Sequence, residues 1–267
     1  MTLPTAAAVT TRRKSRCSRV GAGYEFGMSE ATRPFLTAQW RNLILLTYAV
    51  DPVRLIDLVP PDTTLDSWRG QTFVSLVGFQ FLETKILGAP VPFHQDFEEV
   101  NLRFYVRRIM PDSVRHGVVF IREIVPRPLV GGMARLLYRE PYQIMPTRSK
   151  VTAGPPPDVE YQWNDAGRWC TLSGAGRGEG FEPGEGTLEE FLTERHWGYN
   201  GERGKPTLEY RVDHPRWKVW HAQDSRVEYN AETLCGRELA GELKMPMSKL
   251  IADGSPVTIR WRTLIPG

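Results

Sequence analysis

The sequence predicts a mainly β (α+β) fold, an antiparallel β-barrel with a few flanking helices. Three observations carry that expectation. Val, Ile, Phe, Tyr, Trp and Thr gather in short runs, and Gly, Pro and Asp punctuate them. The three-to-four-residue spacing of an amphipathic helix appears in only a few places. In chain order the predicted strands are NLILLTYAV, TFVSLVGFQFLETKI, VNLRFYVRRI, GVVFIREIV, TRSKVTA, LEYRVDH, WKVWHAQ and PVTIRWRT. The helical candidates lie between them. DPVRLIDLVP offers Asp51 as N-cap and Pro52 at the first helical position. PLVGGMARLLYREPY is the second, and GTLEEFLTERHWGY the third, opened by Thr187 with Glu190 three residues on, a capping-box pattern.

The chain has 267 residues, of which 41% are hydrophobic and 24% charged, the composition of an ordinary globular protein. No repeat of fixed period is present. The one long turn-rich region, AGPPPDVEYQWNDAGRW through GAGRGEGFEPGEG, lies mid-body with strands on both sides. This favours a single β-barrel domain over residues 28-267. Residues 1-27, with the basic segment TTRRKSRCSR, read as a disordered extension.

Formal charge is +3, from 34 basic and 31 acidic residues, and a good part of the excess sits in that extension. The body is near neutral, which argues against a nucleic-acid footprint. No apolar run reaches membrane-spanning length. Cys17, Cys170 and Cys235 stand far apart, so neither a disulfide framework nor a thiolate metal site is suggested, and a cytoplasmic location fits. The five histidines show no metal-ligand spacing, and no cofactor motif is present. The glycine-rich GAGRGEG (Gly174 to Gly180) lacks the strand-to-helix context and the Gly-Lys-Ser/Thr of a phosphate loop, and reads as a flexible loop.

Two strands carry candidate chemistry. In FEEVNLRFYVRR the two-residue period puts Val100, Leu102, Phe104 and Val106 on one face and Glu99, Asn101, Arg103, Tyr105 and Arg107 on the other. A polar face of this kind is wet surface on an open sheet, but in a closed barrel it can line a cavity. In GVVFIREIV, Arg122 and Glu123 interrupt an apolar run, so one of the two should point into whatever the sheet encloses. A buried charge there needs a partner, and Arg103 and Glu99 are available. A network that only fixes strand register is the competing account.

At these residues the chain resembles the YqjF-like family, which is grouped by fold with acetoacetate decarboxylase. The resemblance rests on QWRNL (39-43), TYAVDPVRLIDLVPPD (47-62), FEEVNLRFYV (97-106), HGVVF (116-120), ARLLYREPY (134-142), LEEFLTERHWGY (188-199), DHPRW (213-217) and ADGSPVTIRWRTLIP (252-266). It implies an acetoacetate decarboxylase-like barrel with Asn101 and Arg103 on the cavity side, joined by Arg122 or Glu123, and with Arg127 near the mouth. Arg41, in QWRNL, falls where the decarboxylase has an active-site arginine. Arg122, Glu123 and Pro126 match the enzyme's Arg-Glu pair and proline, but Arg127 stands in the slot of its Schiff-base lysine. Arginine stays protonated and cannot be the amine nucleophile.

The expected function is therefore binding of a small anionic or carbonyl-containing organic acid without Schiff-base chemistry, by Arg41, Asn101, Arg103, Arg122 and Arg127. Guanidinium forks suit carboxylates. The alternatives are a lyase or hydro-lyase with Glu123 and Glu99 as acid and base, and a structural barrel with no ligand. The expected partner is that small molecule, with neither nucleic acid nor membrane, and nothing in the sequence opposes a homo-oligomer.

Overall fold

The computed structural model describes Met1, residues 33–152 and residues 154–265. Apart from Met1, the expectation for residues 1-27 lies outside the described residues. The strands are β1 (Pro34–Val50), β2 (Thr64–Leu65), β3 (Thr72–Ile86), β4 (Ala89–Pro90), β5 (Phe97–Ile109), β6 (Val114–Val125), β7 (Tyr142–Ile144), β8 (Thr147–Thr152), β9 (Asp158–Asp165), β10 (Arg168–Phe181), β11 (Trp197–Asn200), β12 (Thr207–Asp213), β13 (Val219–Glu228), β14 (Ser248–Arg260) and β15 (Thr263–Ile265). The helices are α1 (Pro128–Tyr138), α2 (Leu188–Thr193), α3 (Ala231–Cys235) and α4 (Arg237–Ala240). Among the described residues no helix is long and apolar enough to cross a membrane.

Hydrogen-bonded neighbours run β12–β11–β6–β5–β3–β1–β14, and β14 pairs back onto β12. The links are uneven. β5 and β6 pair, across one bulge, from Val100 opposite Ile124 to Ile109 opposite Val114. By contrast, β11 meets β6 at Trp197 opposite Gly117 and Gly198 opposite Val118, and β12 meets β14 at Val212 opposite Ile259 and Asp213 opposite Thr258. Beyond β14 the sheet continues through β13, β10, β9 and β8. This extension covers the β3–β5 face, where Val100, Leu102 and Phe104 share one buried cluster with Tyr161, Trp163 and Leu172. Gly78 makes the layer contact possible, since a Cβ there would lie 2.7 Å from the Tyr161 ring. The opposite face of β3 and β5 packs into a second cluster with Phe79, Phe81, Tyr105, Tyr210 and Trp217. Both faces of these central strands are therefore buried.

Two sequence expectations change. GAGRGEG is not a flexible loop but part of β10, with Gly174 and Ala175 paired to β9, Ala175 to Arg177 paired to β13, and an irregularity between Arg177 and Phe181. Its glycines answer to crowding, because a Cβ on Gly176 would stand 2.7 Å from Pro156 and one on Gly180 would stand 2.5 Å from Trp220. DPVRLIDLVP forms two single 3-10 turns, Pro52–Arg54 and Ile56–Leu58, in place of a helix. Asp51 does cap the first, accepting from Val53 N at 2.9 Å, but Pro60 and Pro61 follow Leu58 after a single residue and leave no room for an α-turn ladder. Thr187 is the N-cap of α2 as expected, its hydroxyl accepting from Glu190 N at 3.2 Å, but the Glu190 carboxylate accepts from Gly186 N, one residue earlier than in a capping box.

Candidate functional site

The β5 face with Glu99, Asn101 and Arg103 is not wet. All three side chains are buried, and all three line an interior cavity of about 60 Å³. A site needs roughly 10–15 Å³ by this measure to hold one water, so the cavity suits several waters or a small organic molecule. Its aromatic wall includes Trp40, Phe79, Phe81, Phe120 and Trp217.

Local irregularities aim the polar groups. Across the strands, Val77, Asn101, Glu123 and Tyr142 are successive partners from β3 to β7, which brings Asn101, Glu123 and Tyr142 to one row. The β5–β6 register shifts between Leu102 and Arg103, leaving Ile121 as the extra residue. Phe120 and Glu123, three apart, therefore both reach the cavity, while Arg122 stands opposite Leu102 on the other face. Arg122 donates there to the carbonyls of Leu234 (3.1 Å) and Thr233 (3.4 Å), at the C-terminus of α3. A second bulge, at Asn42 with φ of 56°, lets Trp40 and Leu43 both face the cavity and turns Arg41 away. Arg41 donates to Gly254 O and to Gln39 Oε1. Arg127, just before α1, donates to Asp96 O at 3.0 Å. Arg41, Arg122 and Arg127 line neither this cavity nor the one beside it.

Three buried carboxyls converge instead. Glu99 accepts from Asn101 Nδ2 (2.9 Å) and from the Tyr142 hydroxyl (3.1 Å). Glu140 accepts from the Tyr210 hydroxyl (2.8 Å) and from Asn200 Nδ2 (3.2 Å). Burial disfavours the charged form of each group. It lifts Glu99 to about 7 and Glu140 to about 8, and Glu123 well above the carboxyl range with added repulsion from Glu140 and Glu99. Among the described residues no carboxylate stands within ion-pair distance of Arg103, so the expected Arg103–Glu99 pair is a longer-range interaction. Arg103 donates to Leu192 O at 3.3 Å.

A second guanidinium lines the same cavity. Arg195, two residues past α2, is buried beside the Tyr105 ring and over that of Phe191, and donates to Asp66 Oδ2 at 2.5 Å. Asp66 also accepts from His116 Nδ1 (2.8 Å) and Ser67 N (3.0 Å). Burial alone would raise Asp66, but the His116 bond and the Arg195 charge outweigh it and hold it at about 2. Four buried polar atoms of cavity-lining side chains have no protein partner: Trp40 Nε1, Asn101 Oδ1, Arg103 Nε and Glu123 Oε2. Buried polar atoms are nearly always bonded, so four without a protein partner at one cavity are exceptional.

A model of the DUF2071 family, described as "Uncharacterized conserved protein", matches residues 37–256. The chain belongs to this family. It is 26% identical over 196 residues to the uncharacterised protein YqjF of Bacillus subtilis, covering 73% of this chain and 78% of that protein. Among solved structures, it is similar to acetoacetate decarboxylase of Legionella pneumophila, with a TM-score of 0.62 at 12% identity over 91% of this chain and 94% of that one. An acetoacetate decarboxylase-like enzyme of Sphingomonas wittichii aligns with a TM-score of 0.59 at 12% identity, over 92% of this chain and 100% of that one. The enduracididine biosynthesis enzyme MppR complexed with pyruvate aligns with a TM-score of 0.59 at 13% identity, over 90% and 93% of the two chains. This DUF2071 protein thus has the acetoacetate decarboxylase-like fold.

Sequence reasoning missed Arg195, Glu140, Tyr142 and Tyr210. One signal was present: LEYRVDH puts Leu208, Tyr210 and Val212 on one strand face, where a tyrosine among aliphatics needs a polar partner. Gly198 makes room for it, since a Cβ there would meet Tyr210 Cζ at 2.1 Å. Gly198→Ala is expected to push Tyr210 off Glu140 and cost about 1–3 kcal/mol. Urea unfolding checks this, and a variant as stable as the parent would mean that Tyr210 is free to move.

Proposed function

We propose that this DUF2071 protein binds a small oxo or hydroxy acid in the interior of a β-barrel, the seven-strand ring closed by β12 and β14. The ligand carboxylate lies against Arg103 and Arg195, and its oxo or hydroxyl oxygen faces Glu123, Asn101 and the Glu99–Tyr142 pair. The observation that carries this reading is the set of unpartnered polar atoms on Trp40, Asn101, Arg103 and Glu123 at one cavity. Two guanidiniums supply the charge that a carboxylate needs, and carboxyls protonated near neutral pH supply donors for a carbonyl oxygen. The pyruvate complex of MppR, a structural neighbour, agrees with this ligand class.

The chemistry is not that of a Schiff base. No lysine lines either cavity among the described residues, and Lys85 and Lys150 are exposed. Borohydride reduction in the presence of a β-keto acid should leave no adduct on either lysine by peptide mass mapping. A second reading, acid–base catalysis as a lyase or hydro-lyase, is favoured by one observation. Glu99 titrates at about 7 beside Glu123, the range in which a carboxyl both gives and takes a proton.

Native mass spectrometry of the purified protein tests binding. The parent should retain or take up a small acid, and Arg103→Leu should lose it. Retention by Arg103→Leu equal to that of the parent would remove Arg103 from the site.

A further inference from the structure

A second cavity, of about 70 Å³, abuts the first. Phe81, Glu123, Tyr142, Tyr210 and Ile259 line both, so the two chambers meet at the carboxyl–tyrosine cluster. Their far ends differ in chemistry. The first ends at Arg103 and Arg195, whereas the second is closed by Phe35, Leu36, Ile86 and Tyr138. Its further polar groups are already engaged: both Glu140 oxygens accept from Tyr210 and Asn200, and the Tyr138 hydroxyl donates to Arg260 O at 3.2 Å. The second chamber therefore offers little to a polar group and much to an apolar one.

Resting on the reading above, we propose that the ligand spans both chambers: an acid with its carboxylate at Arg103 and Arg195 and an aliphatic or aryl substituent in the Phe35–Leu36–Ile86–Tyr138 chamber. Its oxo or hydroxyl carbon then lies at Glu123 and Tyr142, two of the polar groups common to both. An acid as short as pyruvate would fill only the first chamber. Apolar walls reward each buried methylene, whereas a carboxylate placed against them would lose its hydration without a partner. Orientation follows: the reverse placement strands a charge among aromatic rings and leaves two guanidiniums facing a hydrocarbon.

Calorimetric titration of the full chain with pyruvate, phenylpyruvate and 2-oxooctanoate tests the proposal. The parent should bind 2-oxooctanoate at least about tenfold more tightly than pyruvate, given the several added methylenes. Ile86→Trp, which fills the second chamber from the end of β3, should erase that preference and leave pyruvate within about twofold of the parent value. Leu36→Phe is a milder substitution for the same purpose should the tryptophan impair folding. Equal affinities for the three acids in the parent, or a preference that survives both substitutions, would overturn the two-chamber ligand and leave the binding reading standing. Failure of all three acids to bind the parent would overturn the binding reading and the two-chamber ligand with it. The chain-length comparison in the parent decides the matter even if neither variant folds.

Discussion

Replacing Arg195 by leucine is expected to destabilise the protein by roughly 3 kcal/mol, the lower end of the cost of breaking a buried ion pair. Arg195 and Asp66 are both buried, and the guanidinium also stacks 3.9 Å over Phe191. Leucine keeps some of the packing but leaves the Asp66 carboxylate in a site with little water. The loss stays near the lower bound because His116 Nδ1 and Ser67 N still donate to Asp66. For a domain of this size a loss of 1 kcal/mol lowers the melting midpoint by roughly 2–4 °C, so the shift is well within reach of calorimetry. A pH signature accompanies it. Asp66 is held at about 2, below its ordinary 3.8, by the His116 bond and the Arg195 charge together, so these partners contribute stability that is complete above about pH 4 and disappears as pH falls through 2. Arg195→Leu should lose the Arg195 share of that acid-sensitive component while the His116 bond keeps the rest, and because Arg195 lines the cavity, acid binding should fall with it. An unchanged midpoint at pH 7 would show that the pair contributes nothing net.

Stability should also decline from about pH 5 to pH 8, the opposite slope to that of Asp66. Glu99 rises from 4.5 to about 7 and Glu140 to about 8 because burial penalises their charged forms, and Glu123 rises further. A raised carboxyl binds its proton more tightly in the folded state than in the unfolded chain. Its contribution is complete below the unfolded value and is lost as pH climbs through the folded one. One pKa unit is worth 1.36 kcal/mol, so Glu99 alone contributes on the order of 3 kcal/mol to this slope. The three groups share one site and release protons as a set, so the decline should be a single broad transition. Glu99→Gln keeps an acceptor for Asn101, turns its NH2 to the Tyr142 hydroxyl, which can accept, and should flatten the profile most between about pH 5 and pH 7. Affinity for an oxo acid should weaken over the same range, since each lost proton removes a donor and adds a negative charge to the cavity. A melting midpoint flat from pH 5 to pH 8 would mean that the carboxyls are hydrated in solution.

The part of this site that could be read in the sequence is the part built on one strand. Glu99, Asn101 and Arg103 alternate along β5, and period two is a local property that needs no knowledge of neighbours. Glu123 was legible only as one of a pair with Arg122, because the bulge at Ile121, which sends Phe120 and Glu123 the same way, depends on how β6 pairs with β5. Arg41 was assigned through its family motif, and the Asn42 bulge reverses its direction. Arg195 follows a six-residue helix in an irregular segment, where no period predicts orientation. Glu140 sits between α1 and β7, and only tertiary contact brings it to Tyr210. The β9–β10 hairpin was masked by glycines that the packing of Pro156 and Trp220 requires, so crowding between layers looked like flexibility along the chain.

The uneven linkage of the seven-strand ring makes the β11–β12 hairpin a panel. Its ladders to β6 and β14 are confined to Trp197 and Gly198 on one side and to Val212 and Asp213 on the other, beside long ladders elsewhere, and its remaining strand pairing is that of Thr207–Glu209 with the short β15. Trp197, Gly198, Tyr210 and Val212 all line the cavity, so the least anchored segment of the ring is also a wall of the site. Local opening takes the route of fewest shared hydrogen bonds, and the amide protons of Trp197–Asn200 should exchange with solvent well before those of Val100–Val106. A guest held between the β5 face and this panel would enter and leave at the rate of that opening.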